Sequence, residues 1–199
     1  MESTSLEYEV KPQAITAQAG FSMVEPLLVT IFIGIALAGV YRLSVVELQR
    51  ETINSVSRDL AAWLEQVRAA SQSVANGGCV VRFETGTDKK LGDPVAIAKP
   101  NTLAPSSAHC GPNATFSLMS TNPPISSFTV IKDSGPNPIF FTPRGTVAFS
   151  DDPLVIRISL NKSTYSRCVQ VNAVIGNIST GSNNIDAGRC SEISYVQQF

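Results

Sequence analysis

The sequence predicts an α+β protein in which one long N-terminal helix packs on a β-rich C-terminal head. An apolar run occupies residues 20–41. From residue 42 to about residue 76, apolar residues recur at steps of three and four, the mark of a helix with one apolar face. After Gly77 and Gly78 the pattern changes to short alternating segments between turn residues, which is typical of strands. We therefore expect a helix of about 55 residues and a head of about 120 residues.

The composition limits the classes of function. The chain has 199 residues, which suits one ordinary domain together with a membrane or targeting segment. The formal net charge is −1 and only 16% of the residues are charged, so the sequence lacks the basic excess that dominates nucleic-acid affinity. Low charge and many Ser, Thr, Asn, Gly and Pro residues are typical of a β-rich domain outside the cytoplasm.

Residues 21–41 form the predicted membrane-spanning half of the helix. About 20 apolar residues are enough to cross the hydrocarbon core of a bilayer. Glu25 is the only charged residue between Phe21 and Tyr41. Because an ionisable side chain inside such a segment is costly, Glu25 is by default a functional residue.

Residues 42–77 form the predicted amphipathic half of the same helix. Charged residues lie between the members of the apolar stripe, and Gly77-Gly78 supplies the stop signal. The stripe is too short and irregular to favour a coiled-coil stalk. Its predicted members are Val46, Ile53, Val56, Leu60, Trp63, Leu64, Val67 and Val74.

Residues 78–199 form the predicted head. Eight segments have the short alternating pattern of strands, and clusters of turn-forming residues separate them at 86–94, 99–113, 121–124 and 133–137. The predicted strands cover residues 80–83, 95–98, 115–119, 128–132, 139–142, 146–149, 154–160 and 167–174.

All four cysteines follow the apolar segment. They are Cys79, Cys110, Cys168 and Cys190, and none belongs to a CxxC pair. A single histidine, His109, is too little for a Cys/His metal set. We therefore favour two disulfides in an oxidising compartment over four buried thiols in a cytoplasmic protein. Of the three possible pairings, the one between neighbours in sequence, Cys79–Cys110 and Cys168–Cys190, is favoured.

The start of the apolar segment carries a resemblance. Residues 20–25 read GFSMVE, which closely resembles the processing site of type IV prepilins and type II secretion pseudopilins. The resemblance implies that residues 1–20 are a leader peptide, removed by a prepilin peptidase that cuts after Gly20. It also implies that Phe21 becomes the N-methylated N-terminus. The fold implied is type IV pilin-like.

The same resemblance assigns Glu25 a role in assembly. In a filament its carboxylate would pair with the cationic N-terminus of Phe21 in a neighbouring subunit, which would set the register of the helices more than their affinity. Pro26 departs from the family pattern, which has an aliphatic residue there, and predicts that the helix begins at Pro26. A plain signal anchor with a glutamate near the headgroups is the alternative.

A second resemblance lies in the head. Residues 141–146 read FTPRGT, and paired predicted strands and Gly176 follow. This order resembles the C-terminal half of the GspH/FimT-like minor pilins and pseudopilins. Some FimT-like members bind DNA through a Gly-Arg-x-Arg stretch, where this chain reads GNIS at 176–179. The missing arginines disfavour DNA as a partner, and the remaining candidate contacts would be Arg144, Lys162, Arg167 and Arg189.

No constellation for catalysis or metal binding stands out. The single histidine lies in a loop and no GxSxG occurs, so a membrane-tethered hydrolase is disfavoured. Asp151-Asp152 and the cluster of Asn183, Asn184 and Asp186 lack the spacing of a calcium loop, and turn formation explains them better. We therefore predict no catalytic residue, no metal and no cofactor.

The function expected from these features is structural. The chain is predicted to be a minor pilin or pseudopilin, a non-enzymatic subunit of a type IV pilus or a type II secretion filament. A DNA-uptake or adhesive minor pilin is the alternative. The chain is expected to span the bacterial inner membrane once, with its head in the periplasm, and then to join a pilus or pseudopilus filament. Its expected partners are other pilin subunits, the prepilin peptidase, the inner-membrane assembly platform and membrane lipid.

Overall fold

The computed structural model describes residues 23–73, 77–101, 109–119, 127–148, 152–161, 165–173 and 175–182, apart from the side chain of Arg42. The chain divides into two compact units, Met1–Ser44 and Val45–Phe199. The leader, Gly20 and Phe21 lie outside the described residues. The expected α+β arrangement is confirmed, with one long N-terminal helix whose second half packs on a head of two antiparallel sheets.

Helix α1 spans Val24–Ser71, which is 48 residues. It begins two residues before Pro26, so the prediction of a start at Pro26 is wrong. Proline is accepted in the first turn because the N–H groups there have no partner within the helix. Glu25 therefore lies in the first helical turn, where the partial positive charge of the helix end favours a carboxylate.

The helix also ends earlier than expected, at Ser71 rather than near residue 76. Beyond that point the backbone N–H groups of Gln72 and Ser73 bond to carbonyls three residues back, each at 3.2 Å. Such bonds tighten the last turn and close the helix. The Ser71 hydroxyl also bonds to the Arg68 carbonyl oxygen at 2.6 Å. Tertiary contacts of this last turn, given below, thus end the helix before the predicted glycine stop.

The predicted apolar stripe of α1 is largely confirmed. Its central six members are buried, whereas Val46 is 48% exposed and Val74 lies outside the described residues. The stripe was predicted to start at Val46, but the first buried residue in the described part of the helix is Thr52, so the prediction for Val46 is wrong. The buried members are Ile53, Val56, Leu60, Trp63, Leu64 and Val67.

Ten strands follow in the described part of the head. They are β1 (Cys79–Phe83), β2 (Gly86–Lys89), β3 (Pro94–Pro100), β4 (Thr115–Ser117), β5 (Phe128–Ser134), β6 (Ile139–Phe141), β7 (Val147–Ala148), β8 (Leu154–Leu160), β9 (Ser166–Val171) and β10 (Ile178–Ser182). Each of the eight predicted strands overlaps one of them: the bounds of β8 are as predicted, and those of the other strands differ by at most three residues.

Two strands, β2 and β10, were not predicted. The segment of β2 reads GTDK and lies in what was predicted to be a turn. It pairs with β5 across a register shift, and its Asp88 has φ 60°. The predicted turn at 99–113 is also too long, because β3 continues to Pro100.

The strands form two five-stranded antiparallel sheets. Sheet A has the order β4-β3-β1-β6-β7, and sheet B has the order β10-β9-β8-β5-β2. The buried helix residues and the inner side chains of both sheets, among them Phe141 of sheet A and Phe128 of sheet B, form one continuous core. The second half of α1 is therefore part of the hydrophobic core of the head, which would otherwise expose an apolar sheet face to water.

Candidate functional site

The first half of α1 presents an apolar surface. By length and composition α1 is the one helix among the described residues that could cross a membrane, with a window of mean hydropathy 2.0, none of which is buried. The large apolar side chains between residues 24 and 48 are all exposed, by 36% at Val45 and up to 74% at Leu43. Exposed apolar surface of this extent requires a covering of lipid or of other helices.

Glu25 lies at the start of this apolar surface. Its side chain is exposed in the first turn of the helix, next to Val24 at 62% exposure and Leu28 at 49%. Within the described chain no salt bridge involves its carboxylate. The predicted partner, the amine of Phe21 in another subunit, lies outside the described residues, so the role of Glu25 stays a prediction.

The last turn of α1 holds two loops of the head through Arg68. Its Nε donates to the Gly145 carbonyl oxygen at 2.9 Å, and its Nη2 donates to the Ile175 carbonyl oxygen at 3.3 Å. Its Nη1 lies 3.3 Å from Glu65 Oε2, one turn earlier. A cation in the last turn is also favoured by the negative end of the helix dipole. Helical spacing places Arg68 outside the apolar stripe but says nothing about which loop its side chain reaches.

The first of these loops is the turn at residues 142–146. The Thr142 N–H donates to the Thr146 carbonyl oxygen at 2.8 Å, and the hydroxyl groups of the same two residues lie 2.7 Å apart. Gly145 has φ 74°, a left-handed conformation that glycine adopts without steric cost. The Ser71 hydroxyl shares its single proton between the Arg68 carbonyl oxygen at 2.6 Å and the Thr142 carbonyl oxygen at 3.1 Å, so the helix end contacts both sides of the turn.

The second loop carries Gly176. The Asn172 N–H donates to the Asn177 carbonyl oxygen at 2.8 Å, and the Gly176 N–H donates to the Asn172 carbonyl oxygen at 3.0 Å. Gly176 has φ 64°, and a Cβ placed on it would lie 2.6 Å from the Gly145 carbonyl oxygen. Close approach between two backbones thus requires glycine here. The structure brings the FTPRGT turn and Gly176 together at the end of α1.

The predicted DNA contacts do not converge in the described head. Arg144 is exposed in the turn. Arg167 is half-buried, its Nε donates to Asn54 Oδ1 on α1, and its guanidinium lies 5.4 Å from the centre of the Tyr165 ring. Lys162 and Arg189 lie outside the described residues. Arg167 therefore joins the helix to sheet B, a role that is sufficient to explain its position.

The remaining candidates for catalysis or metal binding are His109 and the two acidic clusters. Within the described ranges no group of three or more His, Cys, Asp or Glu side chains could hold a metal ion. His109 is exposed. Of the two acidic clusters considered, only Asp152 is described, and it lies in a bend before β8.

The cysteines support the predicted pairing. Cys79 at the start of β1 is bonded to Cys110, with a Cα–Cα distance of 5.8 Å, and both residues are buried. This disulfide ties the first strand of sheet A to the loop that leads into β4. Cys168 is also disulfide-bonded and has no exposed surface. Its predicted partner, Cys190, lies outside the described residues.

Comparisons with known proteins give weak matches only. The chain matches no protein-family model and no curated protein. Among solved structures it is similar to a crystal structure of the type IV minor pilin FimU from Pseudomonas aeruginosa strain PAO1, at 17% identity and a TM-score of 0.44, over 69% of this chain and 98% of that one. A second crystal form of FimU gives 15% identity and a TM-score of 0.43, over 71% of this chain and 97% of that one.

Proposed function

We propose that the chain is a minor pilin or pseudopilin, a structural and non-enzymatic subunit of a type IV pilus or type II secretion filament. A prepilin peptidase would remove residues 1–20, and Phe21 would become the methylated N-terminus. The subunit would wait in the inner membrane with its head in the periplasm. The assembly platform would then move it from lipid into a filament of other pilin subunits.

One observation carries this proposal: α1 is continuous from Val24 to Ser71 but has two different environments along its length. Up to Leu48 its large apolar side chains are exposed, whereas from Ile53 to Val67 the large apolar side chains belong to the core of the head. A helix whose first half is uncovered and apolar suits a subunit that lies first in lipid and later against other helices in a filament.

Glu25 gives the proposed assembly a specific chemistry. Its carboxylate lies in a segment that is otherwise apolar, so an unpaired charge there is unfavourable in lipid and in a filament core alike. The amine of Phe21 in a neighbouring subunit would neutralise it. A pair of this kind favours one axial offset between helices over the others, because any other offset leaves two buried charges without partners.

The disulfides support the proposed location of the head. Cys79–Cys110 is formed and Cys168 is bonded. Structural disulfides of this kind persist in the bacterial periplasm and outside the cell, and they are rare in the cytosol. The head is thus suited to the side of the membrane on which a filament grows.

Incorporation of Glu25 variants into filaments tests the proposal. We expect Glu25→Gln and Glu25→Ala to reach the membrane and to be processed normally, yet to be strongly depleted from sheared filaments. Glu51→Gln, which changes an exposed glutamate of the same helix, is the matched control and should assemble as the wild type does. Equal incorporation of all three variants would overturn the proposed role of Glu25, and absence of the wild-type chain from every filament fraction would overturn the proposed function.

A further inference from the structure

Strand β4 forms an open edge of sheet A. In the described part of the head the sheet ends at this strand, which pairs with β3. Along an antiparallel strand, the N–H and C=O groups of one residue bond to the partner strand and those of the next residue point the other way. The Ala114 carbonyl oxygen accepts from Ala98 of β3 at 2.7 Å, and the Leu118 N–H donates on the same side at 3.2 Å. The backbone groups of Thr115 and Ser117 therefore point away from β3, towards the open edge.

A groove of about 330 Å³ lies between this open edge and the buried half of α1. Trp63 of α1 and Phe116 of β4 line it, and the centres of their rings are 6.0 Å apart. The Trp63 Nε1 donates to the Asn113 carbonyl oxygen at 2.9 Å. Asn113 is two residues before Thr115, so its backbone points to the same side. The side of β4 that faces away from β3 is thus the side that faces the groove.

The groove has an exposed apolar rim and one negative charge. Met119 lines it and is 74% exposed, more than any other large apolar side chain in the described part of the head. A flexible thioether beside aromatic rings suits a surface that packs against a partner. Asp59 is the one charged residue that lines the groove, and no salt bridge among the described residues involves it. A cationic side chain of a partner would therefore be favoured there.

We propose that this groove receives an extended segment of a neighbouring filament subunit, which adds a strand to the open edge of β4. The inference rests on the proposed function, because a filament places other subunits beside the head. Thr115 and Ser117 present two backbone donors and two backbone acceptors in alternation, and an extended polypeptide presents the complementary groups. The edge is three residues long, about 10 Å of extended chain.

The lining residues also define the side chains of the added segment. An apolar side chain of the segment would enter the space lined by Trp63, Phe116 and Met119, where it buries surface. A lysine or arginine close to it would pair with the Asp59 carboxylate. An edge of three residues is far smaller than a stable protein interface. The added strand would therefore orient a neighbour that the filament already holds through α1, and would not assemble the filament by itself.

Photo-crosslinking in sheared filaments tests where the neighbour lies. A benzophenone amino acid replaces Thr115, whose side chain is exposed, and the irradiated filaments are analysed by peptide mass spectrometry. We expect a link to one segment of another subunit, with an apolar residue close to a lysine or arginine. Filaments that contain the chain but give no such link would overturn this inference and leave the proposed function standing. Absence of the chain from the filaments would overturn the proposed function, and this inference with it.

A proline at Ser117 tests the pairing of the backbones. Ser117→Pro removes the N–H that points to the groove and no hydrogen bond to β3, a position at which an edge strand accepts proline. Ser117→Ala keeps the N–H and is the matched control. We expect the yield of the Thr115 link to fall about fivefold with Ser117→Pro and to change less than about twofold with Ser117→Ala. Equal yields in the two variants would show that no strand is added to β4.

A charge reversal at Asp59 tests the groove without a change in β4. Asp59 is exposed on α1, so Asp59→Lys should leave the head folded. We expect it to lower the yield of the Thr115 link about fivefold, because it repels the lysine or arginine of the segment. Arg58→Glu, a charge reversal at the exposed neighbouring position, is the control and should leave the yield unchanged. A yield that Asp59→Lys does not lower would contradict the cationic side chain assigned to the segment.

Discussion

The Arg68 guanidinium and the Gly145 carbonyl oxygen join the end of α1 to the turn between β6 and β7, with Nε donating at 2.9 Å. The same guanidinium donates to the Ile175 carbonyl oxygen at 3.3 Å. One side chain thus fixes the helix to two loops that come from different sheets. This relationship gives the FTPRGT turn and Gly176 a structural explanation, which is to hold the end of the long helix in place.

Replacement of Arg68 should therefore destabilise the head. Arg68→Ala removes charge-assisted hydrogen bonds to two carbonyl oxygens, and we expect a loss of about 1.5–3 kcal/mol in the free energy of unfolding. Trp63, the one tryptophan of the chain, is 6% exposed, so its fluorescence reports denaturant unfolding of the full chain in detergent.

Arg58 provides the matched control for Arg68, since it is an exposed arginine of the same helix. Arg58→Ala should change the free energy of unfolding by less than about 0.5 kcal/mol. If the two variants were equally stable, the proposed importance of the Arg68 contacts would be wrong.

A methyl group at Gly176 should be more harmful than one at Gly92. Both glycines have positive φ, 64° and 91°, so alanine at either site adopts a left-handed conformation that costs about 1–2 kcal/mol. Only at Gly176 does the new Cβ also meet backbone, at 2.6 Å from the Gly145 carbonyl oxygen, whereas nothing lies within 4 Å at Gly92. We expect Gly176→Ala to lose at least about 1 kcal/mol more than Gly92→Ala in thermal or denaturant unfolding. Losses of the same size at both positions would contradict the close approach of the two loops.

Loss of the first disulfide should lower stability substantially. Cys79 and Cys110 are 31 residues apart in sequence, and both are buried. The loop-closure model gives about 3–4 kcal/mol for a bridge of this span. The double variant Cys79→Ser/Cys110→Ser should show that loss in the free energy of unfolding, and the wild type treated with reductant should lose at least as much, because the bridge of Cys168 is then opened as well. A loss below about 1 kcal/mol would mean that the loop before β4 is held by other contacts.

The head should not bind DNA in a salt-dependent manner. The net charge is −1, and Arg167 is engaged with Asn54 and Tyr165 inside the head. Gel-shift titrations of the full chain at two salt concentrations should show no affinity that falls with rising salt. Arg144→Ala should leave the result unchanged. Clear binding that weakens with salt and is lost with Arg144→Ala would instead favour the DNA-uptake alternative.

The buried half of the helix was predictable because its spacing is a local property. The positions of Ile53, Leu60 and Val67 on one face follow from 3.6 residues per turn, and all three have no exposed surface. Val46 has the same spacing but is exposed, because its burial depends on how far the head extends along the helix. The end of the helix at Ser71 was missed for a similar reason, since its hydroxyl bonds to Thr142, a residue 71 positions away.

Strand prediction failed where pairing outweighs residue preference. The segment GTDK of β2 contains weak strand formers, and Asp88 has positive φ. Its strand character comes from its pairing with β5. Local patterns single out Glu25, a single charge in an apolar run, and the FTPRGT turn with Gly176, although the role of Glu25 stays a prediction. The meeting of Arg68 with Gly145 and Ile175 depends on tertiary contacts between residues 77 and 107 positions apart, which local patterns cannot encode.

The mass of the mature N-terminus tests the proposed function most directly. The full chain, expressed in cells with a prepilin peptidase, should begin at Phe21 and carry one added methyl group on its terminal amine. In cells without the peptidase it should retain residues 1–20. An intact N-terminus in both cell types, or a cut anywhere other than after Gly20, would contradict the proposal that this chain is a pilin subunit.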